Sequence, residues 1–555
     1  MNNDLVSGRL RTGLGSLEKY GLLLMGIFLV ILSGGRFVTP AAAFLAPMFL
    51  LRFMRNSSVK KGTLLLYVLL FLSLLVRFHD YVSVPRPLNL LLIAGIAVLE
   101  VLPFFADRTL REYLPKFLRP LVLPCVFVLL GFAVSSVLPF GTMGEKAYSQ
   151  AGNGEFMQLL AVTGTHGITF VIFWFAATMA SLWGSAFVWQ RNRSQVIPLA
   201  LCLMIIFVAG GFRNIFDENE SSTVRIAGIA GDSATLQQSL REAGVKNDFN
   251  GLSVAGYNGE EVTAALNVSQ QDLLQRSKQQ AIAGARIVAW AEASAVLFKN
   301  NEPAFIAQAA SLARENKIYL VASVVISAEA TSAVSSDNPS RALENKLIVF
   351  GPNGEQLGQY VKARSLWGES NAAGDGKPLL IDTPYGKIAF AIGFDLDFPP
   401  LVRQAGDADI LIAPSSDWRT LSPHHSLMAT FRGVENGLSI FRPTNKGLSV
   451  ASDPHGRIIA RTDHFRTTPH SFIADVPTAG VNTFYTRAGD WFAWVVCALF
   501  VLLLLVALLA ARKRKRQLGQ AGGGPTDPDE VRDRSRITAI QWREAERDNN
   551  LHRNN

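Results

Sequence analysis

The chain has 555 residues, 49% of them hydrophobic and only 17% charged, with a mean hydropathy of +0.23 and a formal net charge of +9. A soluble protein carries about 25% charged residues, so a large share of this chain belongs in lipid. The Lys and Arg excess sits beside apolar runs, a pattern of membrane topology that argues against nucleic-acid binding. The three cysteines (Cys125, Cys202, Cys497) all lie inside apolar runs, which excludes a disulfide framework or a thiolate zinc site from the polar part of the chain.

A helix needs about 20 apolar residues to cross the hydrocarbon. After a short N-terminal segment (1–19), spans are expected near 20–35, 38–54, 62–78, 88–106, 118–139, 167–189 and 195–212, together forming a transmembrane region over 20–215. An eighth is expected at 490–511. Only Gly34, Gly35, Arg36 and Pro40 part the first two. Placing the N-terminus in the cytoplasm puts Arg55, Lys60 and Lys61, then Arg108, Arg111 and Lys116, then Arg191 and Arg193 on the inner side. The run Arg512–Arg516 also falls inside, as the positive-inside rule requires. Seven crossings then leave residues 222–488 outside; a cytoplasmic domain would force Arg512–Arg516 across the bilayer.

From 222 to 488 short apolar runs alternate with helical stretches. Strands are expected at Val224–Ala230, Arg286–Ala291, Ile318–Ile326, Lys346–Phe350, Lys387–Gly393, Ile410–Pro414, Leu438–Arg442, Leu448–Ser452 and Arg457–Arg461. Helices are expected near 268–285, 303–316, 398–406 and 423–436. Gly351-Pro352-Asn353-Gly354 and Asp453-Pro454-His455-Gly456 read as tight turns. Such an order suggests sheets flanked by helices. The tail 512–555 is basic, then Gly/Pro-rich and polar, and reads as a disordered cytoplasmic segment with room for a short helix near 536–548.

Four local motifs follow one another in this region. They are Val288-Ala289-Trp290-Ala291-Glu292; Tyr360-Val361-Lys362 with Leu366-Trp367-Gly368-Glu369; Ile388 to Asp395 with Phe398-Pro399; and Pro414-Ser415-Ser416-Asp417-Trp418, followed by His425, Arg432, Glu435-Asn436-Gly437 and Arg442-Pro443-Thr444-Asn445. Their order resembles the nitrilase, or carbon–nitrogen hydrolase, superfamily, and within it the apolipoprotein N-acyltransferase family. Gly164-Thr165-His166-Gly167 is similar to a Gly-rich segment of that family's sixth span. The resemblance implies a multi-pass helical bundle of about eight spans in a bacterial inner membrane. It also implies an extracytoplasmic α-β-β-α sandwich between the last two spans and both termini in the cytoplasm. It further implies acyl transfer from phospholipid to the N-terminal amine of a lipoprotein through a cysteine thioester, with no cofactor or metal. By motif position Glu292 matches the general base, Lys362 the cation for the oxyanion, and Glu369 the supporting glutamate.

At the nucleophile the chain departs from the pattern: Gly393-Phe394-Asp395 stands where the family has Cys, an aromatic and Glu. Ala291, Leu366-Trp367 and Ser416 are further departures. Glycine cannot attack a carbonyl, so the reading is a degenerate or repurposed relative that binds phospholipid or lipoprotein. The alternatives are an acyltransferase or amidase using Glu292 and Lys362 without a thiol, and an envelope scaffold. Taken alone, His425 reads as a packed or capping histidine and Ser415 and Ser416 as turn residues, while Asp395, on the same strand face as position 393, is a carboxylate candidate for nucleophile or base. The topology predicts that a reporter fused near residue 350 behaves as extracytoplasmic and one fused after Gln517 as cytoplasmic; the reverse pair of results would reject it.

Overall fold

The computed structural model describes residues 15–35, 37–79, 85–216, 222–244, 260–327, 343–366, 372–468 and 470–521. Apolar stretches become helices wherever they run long enough. They form α1 (Ser16–Leu32), α2 (Pro40–Arg55), α3 (Val59–Arg77), α4 (Arg86–Leu110), α5 (Val122–Val137), the short α6 (Gly154–Met157) and α7 (Leu160–Thr163), α8 (Thr165–Gly184) and α9 (Trp189–Phe216). Among the described residues, six helical segments are long and apolar enough to cross a membrane: Val59–Arg77, Arg86–Tyr113, Arg119–Val137, Thr165–Gly184, Trp189–Ile215 and Trp491–Gln517. With 17 and 16 residues, α1 and α2 are slightly shorter, and they are separate helices packed as a hairpin. A Cβ on Gly26 would lie 2.5 Å from Leu50 Cδ2, so a small residue is what lets the two backbones approach. Leu64, Leu91, Ile205, Val208 and Leu509 point outward and exposed, as lipid-facing side chains do.

The polar region builds two large sheets and one two-stranded sheet. In chain order it contains β1 (Thr223–Ile229), α10 (Ser233–Glu242), α11 (Glu260–Ile282), β2 (Ile287–Trp290), β3 (Ala295–Phe298), α12 (Glu302–Asn316), β4 (Tyr319–Ser327), β5 (Leu343–Phe350), β6 (Gln356–Val361), β7 (Leu379–Thr383) and β8 (Gly386–Phe390). Then come α13 (Pro399–Val402), β9 (Ile410–Ile412), β10 (Ser415–Ser416), α14 (Ser422–Asn436), β11 (Ser439–Arg442), β12 (Thr444–Asn445), β13 (Leu448–Ser452), β14 (Ile458–Asp463), β15 (Ser471–Pro477), α15 (Phe484–Ala488) and α16 (Trp491–Ala521). The first sheet runs β15-β1-β2-β4-β5-β6, with β3 beside β4; the second runs β14-β13-β11-β9-β8-β7. The central strands are parallel (β1 with β2, β2 with β4, β8 with β9, β9 with β11) and apolar on both faces, as strands covered on both sides must be.

Strand β2 shows how the layers form. Ile287 and Ala289 face the second sheet and join Ile388, Phe390, Ile410 and Ile412 in one core. Val288 and Trp290 face the other way, into a core with Leu273 of α11 and Phe305 of α12. The Trp290 indole N–H donates to Ser277 Oγ at 2.9 Å, which satisfies the one polar atom of that buried ring. On the other side α14 packs against β11 and β13. The result is helix, sheet, sheet, helix: a nitrilase-like α/β domain attached to a helical bundle.

Several expectations need correction. The strand expected over Lys387–Gly393 ends at Phe390, and Gly393–Asp397 forms a 3-10 turn. The helix expected over 398–406 is two short turns, α13 and Arg403–Ala405, where Pro399-Pro400 admits a first turn but no preceding helix. Strands β3, β6, β7 and β15 and helix α10 were not expected; most of these strands are short or half-exposed edges with weak apolar runs. Residues 140–160, between the expected spans 118–139 and 167–189, are partly helical, and Tyr148, Phe156 and Met157 bury themselves in the core shared by bundle and domain. Helix α16 continues through Arg512–Arg516 to Ala521. The helix expected near 536–548 lies outside the described residues.

The 140–150 stretch seats the domain on the bundle. Thr142 donates through both its backbone N–H and its hydroxyl to the carbonyl of Asp397, at 2.8 and 3.0 Å. Gly141 sits against the same carbonyl with φ +53°, where a Cβ would collide with backbone. Gly141→Ala is therefore expected to lower stability by about 1–3 kcal/mol, seen as a lower Tm of the full-length protein in detergent.

Candidate active site

Three sequence positions meet at the C-terminal ends of strands. Glu292 follows β2, Lys362 follows β6 and Gly393 follows β8. Glu292 and Lys362 are almost fully buried, at 3% and 1% exposure. Lys362 Nζ donates to Glu292 Oε1 at 2.8 Å, and Asn345 Nδ2 donates to the same oxygen at 2.8 Å. The backbone N–H of Ser416 donates to Glu292 Oε2 at 2.9 Å. The carboxylate thus has donors on both oxygens, from β5, β10 and the residue after β6, and a buried carboxylate is tolerable only in such company.

Gly393 closes the triangle. Its N–H donates to Pro414 O at 2.9 Å, and its φ of +45° belongs to the left-handed region where glycine is at ease. A Cβ built there would lie 2.5 Å from Glu292 Oε2. The side-chain direction at position 393 therefore points straight at Glu292, and the Glu292 carboxylate occupies the space such a side chain would need. Glu369 lies outside the described residues. The cysteines are in α5, α9 and α16, away from this triangle.

Asp395 does not serve as a substitute nucleophile. Its carboxylate accepts from Tyr360 Oη at 2.7 Å, from the backbone N–H groups of Arg364 at 2.7 Å and Ala363 at 3.2 Å, and from that of Ile392 at 3.2 Å. It ties the turn carrying Gly393 to the segment carrying Lys362. Burial pushes its pKa up to about 6, against the opposing pull of the Tyr360 hydrogen bond and the Lys362 charge. The hydroxyl of Ser415 is spent on Ala413 O at 3.0 Å, and Ser416 contributes its backbone N–H.

Behind the triangle lies a buried ionic group that sequence reasoning did not assemble. His425 Nδ1 is 2.7 Å from Asp417 Oδ1 and Nε2 is 2.8 Å from Asp397 Oδ2, while Arg442 reaches both Asp417 oxygens at 3.0 and 3.1 Å. Burial opposes charge on His425, but Asp417 and Asp397 outweigh it and raise the imidazole to about 9. Burial likewise opposes charge on Asp417, yet Arg442 and His425 hold it near 2. With both ring nitrogens protonated, His425 donates to two carboxylates, and Arg442 supplies the second cation. These residues come from a turn, a strand end, a helix and a strand, so no spacing in the sequence links them.

A second buried group runs toward the bundle. Arg432 Nη2 donates to Tyr148 Oη at 3.1 Å, and Tyr148 donates to Thr142 Oγ1 at 2.6 Å. Arg432 Nη1 lies 2.9 Å from Glu435 Oε2, an ion pair without hydrogen-bond alignment. Glu435 Oε1 accepts from the N–H of Thr165, the first residue of α8, where the helix dipole favours negative charge. Burial still dominates and pushes Glu435 up to about 7 despite Arg432.

This architecture can be compared with known proteins. Residues 254–484 match the carbon–nitrogen hydrolase family, and residues 26–178 match the apolipoprotein N-acyltransferase N-terminal domain. The chain is similar to the carbon–nitrogen hydrolases over its polar region and to the apolipoprotein N-acyltransferases over both regions. It is 24% identical over 407 residues to the apolipoprotein N-acyltransferase of Geobacter metallireducens, a match covering 68% of this chain and 70% of that one. It is 28% identical over 279 residues to that of Azotobacter vinelandii, covering 47% of this chain and 52% of that one. Among solved structures, an amidase from Nesterenkonia sp. aligns with 16% identity and a TM-score of 0.34, over 50% of this chain and 97% of the amidase.

The raised groups carry a pH prediction. Between about pH 6.5 and 9 the folded state keeps the His425 proton that the unfolded chain has lost, so stability falls as pH rises through this window. Thermal unfolding of the wild type is expected to drop from pH 6.5 to 9. His425→Gln is expected to start lower and to show a flatter slope over that window.

Proposed function

We propose that this membrane protein keeps the acyltransferase-like fold without the thioester chemistry, and acts by binding phospholipid or lipoprotein at the outer face of a bacterial inner membrane. One observation carries the reading: Gly393 occupies the position matched to the nucleophile, and the Glu292 carboxylate fills the space its side chain would take. Covalent catalysis needs an attacking atom within hydrogen-bond reach of the base. Here the base-matched carboxylate is engaged with Asn345, Lys362 and the Ser416 N–H. The charge distribution supports the topology that goes with this reading: the domain over 222–488 extracytoplasmic, and residues 1–19 and 512–555 cytoplasmic.

A second reading is favoured by the intact Glu292–Lys362 pair at 2.8 Å. A base and an oxyanion cation alone could assist direct attack of an amine on an ester, giving an acyltransferase or amidase without a covalent intermediate. It forfeits the two-step division that a nucleophile provides.

Full-length protein in detergent, incubated with phospholipid and an N-terminal lipopeptide, separates the two. The expected result is no transfer and no added acyl mass for the wild type, and an acyl adduct on Gly393→Cys once Glu292 yields its place. Wild-type transfer that disappears in Glu292→Ala would establish the second reading instead.

A further inference from the structure

The end of the bundle opposite the nitrilase-like domain carries more cationic charge than its carboxylates can pair. Helix α8 begins at Thr165, which bonds Glu435 of the domain, and its 20 residues run about 30 Å away from that contact. At the far end Arg55, closing α2, donates to Ser181 Oγ of α8 at 3.2 Å. The same guanidinium grips both oxygens of Asp107 in α4, at 2.9 and 3.0 Å. Asp107 is fully buried, and this bidentate pair is what makes its charge tolerable there.

Arg111 faces the same carboxylate but is left out of that pairing. Its Nη1 lies 3.7 Å from Asp107 Oδ2, beyond hydrogen-bond reach, and none of its side-chain donors meets an acceptor among the described residues. Only 18% of the side chain is exposed. Arg108 and Arg119 stand close enough to add their charge to that of Arg111. Arg119 spends its Nε on Leu114 O at 3.0 Å and keeps its Nη groups uncommitted among the described residues. Arg108 pairs at 3.0 Å with Glu112, whose side chain is 59% exposed. Four arginines therefore share two carboxylates, one of them open to solvent.

The surroundings say which anion suits the excess. The apolar segments Arg86–Tyr113 and Arg119–Val137 end and begin here, so Arg111 and Arg119 lie where hydrocarbon gives way to headgroups. Tyr113 and Phe117 are both exposed, as aromatic residues are at that level of a bilayer. A planar guanidinium with unspent donors matches phosphate oxygens in pairs. A headgroup with its own cation would be repelled by the same cluster, so an anionic lipid fits better than a zwitterionic one.

We propose that Arg111 and Arg119 hold the phosphodiester of an anionic glycerophospholipid at this end of the bundle, with Tyr113 and Phe117 beside its glycerol backbone. Arg108 adds attraction, and Asp107, fixed by Arg55, keeps the Arg111 guanidinium in place. The site stands at the opposite end of the bundle from the Glu292 triangle, so it does not depend on whether acyl chains are transferred there.

Native mass spectrometry of the delipidated full-length protein in a neutral maltoside detergent tests it, with phosphatidylglycerol and phosphatidylcholine titrated in parallel. The wild type is expected to retain one phosphatidylglycerol about fivefold more tightly than phosphatidylcholine. Arg111→Gln and Arg119→Gln are each expected to weaken phosphatidylglycerol about fivefold, the scale of one basic residue at a membrane surface, and together to erase the preference. Arg119→Gln carries the test by itself should Arg111→Gln fail to fold. Lys513→Gln/Lys515→Gln removes the same charge from exposed positions of α16 at the same end of the bundle, and is expected to change retention less than twofold. Excess inorganic phosphate is expected not to displace the lipid. Equal retention of the two lipids by the wild type overturns the proposal. Equal losses in the Arg111/Arg119 and Lys513/Lys515 double variants overturn it too, because they mean diffuse attraction and no defined site. Displacement by phosphate overturns it in favour of a soluble anion.

Discussion

The Glu292 carboxylate organises the domain. It lies nearly dry between two sheets, and its oxygens collect one donor from Lys362, one from Asn345 and one from the backbone of Ser416. Those groups sit beyond β6, within β5 and in β10, so a single carboxylate ties the first sheet to the short strand that leads into α14. A buried charge of this kind costs several kcal/mol if any partner is lost, so neighbouring strands must keep their register. Gly393 belongs to the same constraint. Its left-handed backbone and missing side chain make room for the carboxylate to lie where it does.

The surroundings extend that constraint toward the membrane. Asp395 fastens the Gly393 turn to the segment after β6. Asp397, two residues on, is gripped by His425 through its side chain and by Thr142 through its carbonyl. From Thr142 hydrogen bonds pass to Tyr148 and Arg432, and the Arg432–Glu435 ion pair leads on to the first N–H of α8. Bundle and domain therefore share polar contacts as well as an apolar core, and a disturbance in the 140–150 stretch reaches the turn that carries Gly393.

Much of this was legible in the chain. Long apolar runs bounded by Lys and Arg announced the spans, because length and hydropathy are local properties. The parallel strands of the two sheets were visible as apolar runs, since strands covered on both faces cannot hide their composition. Glu292, Lys362 and Gly393 were singled out from the order of their motifs, and they do converge. Less visible were β6, β7 and β15, edge or half-exposed strands whose residues need only one apolar face. The fate of residues 140–160 was also hidden: polar enough to read as loop, they fold because bundle and domain offer them a surface to bury against.

Sequence by itself determined the division into apolar helices and a mixed α/β domain, the likeness to carbon–nitrogen hydrolases, and the absence of a thiol at position 393. These depend on residue identity, spacing and order along one strand of chain. Only the tertiary structure decided that Glu292 turns into the space beside Gly393, and that Asp395 serves as a tether. It alone joined His425, Asp397, Asp417 and Arg442 into one buried ionic group. Each of those outcomes depends on which groups from distant segments meet once water is excluded, and burial, which sets the strength of every charge–charge contact, is not a property of any single stretch of sequence.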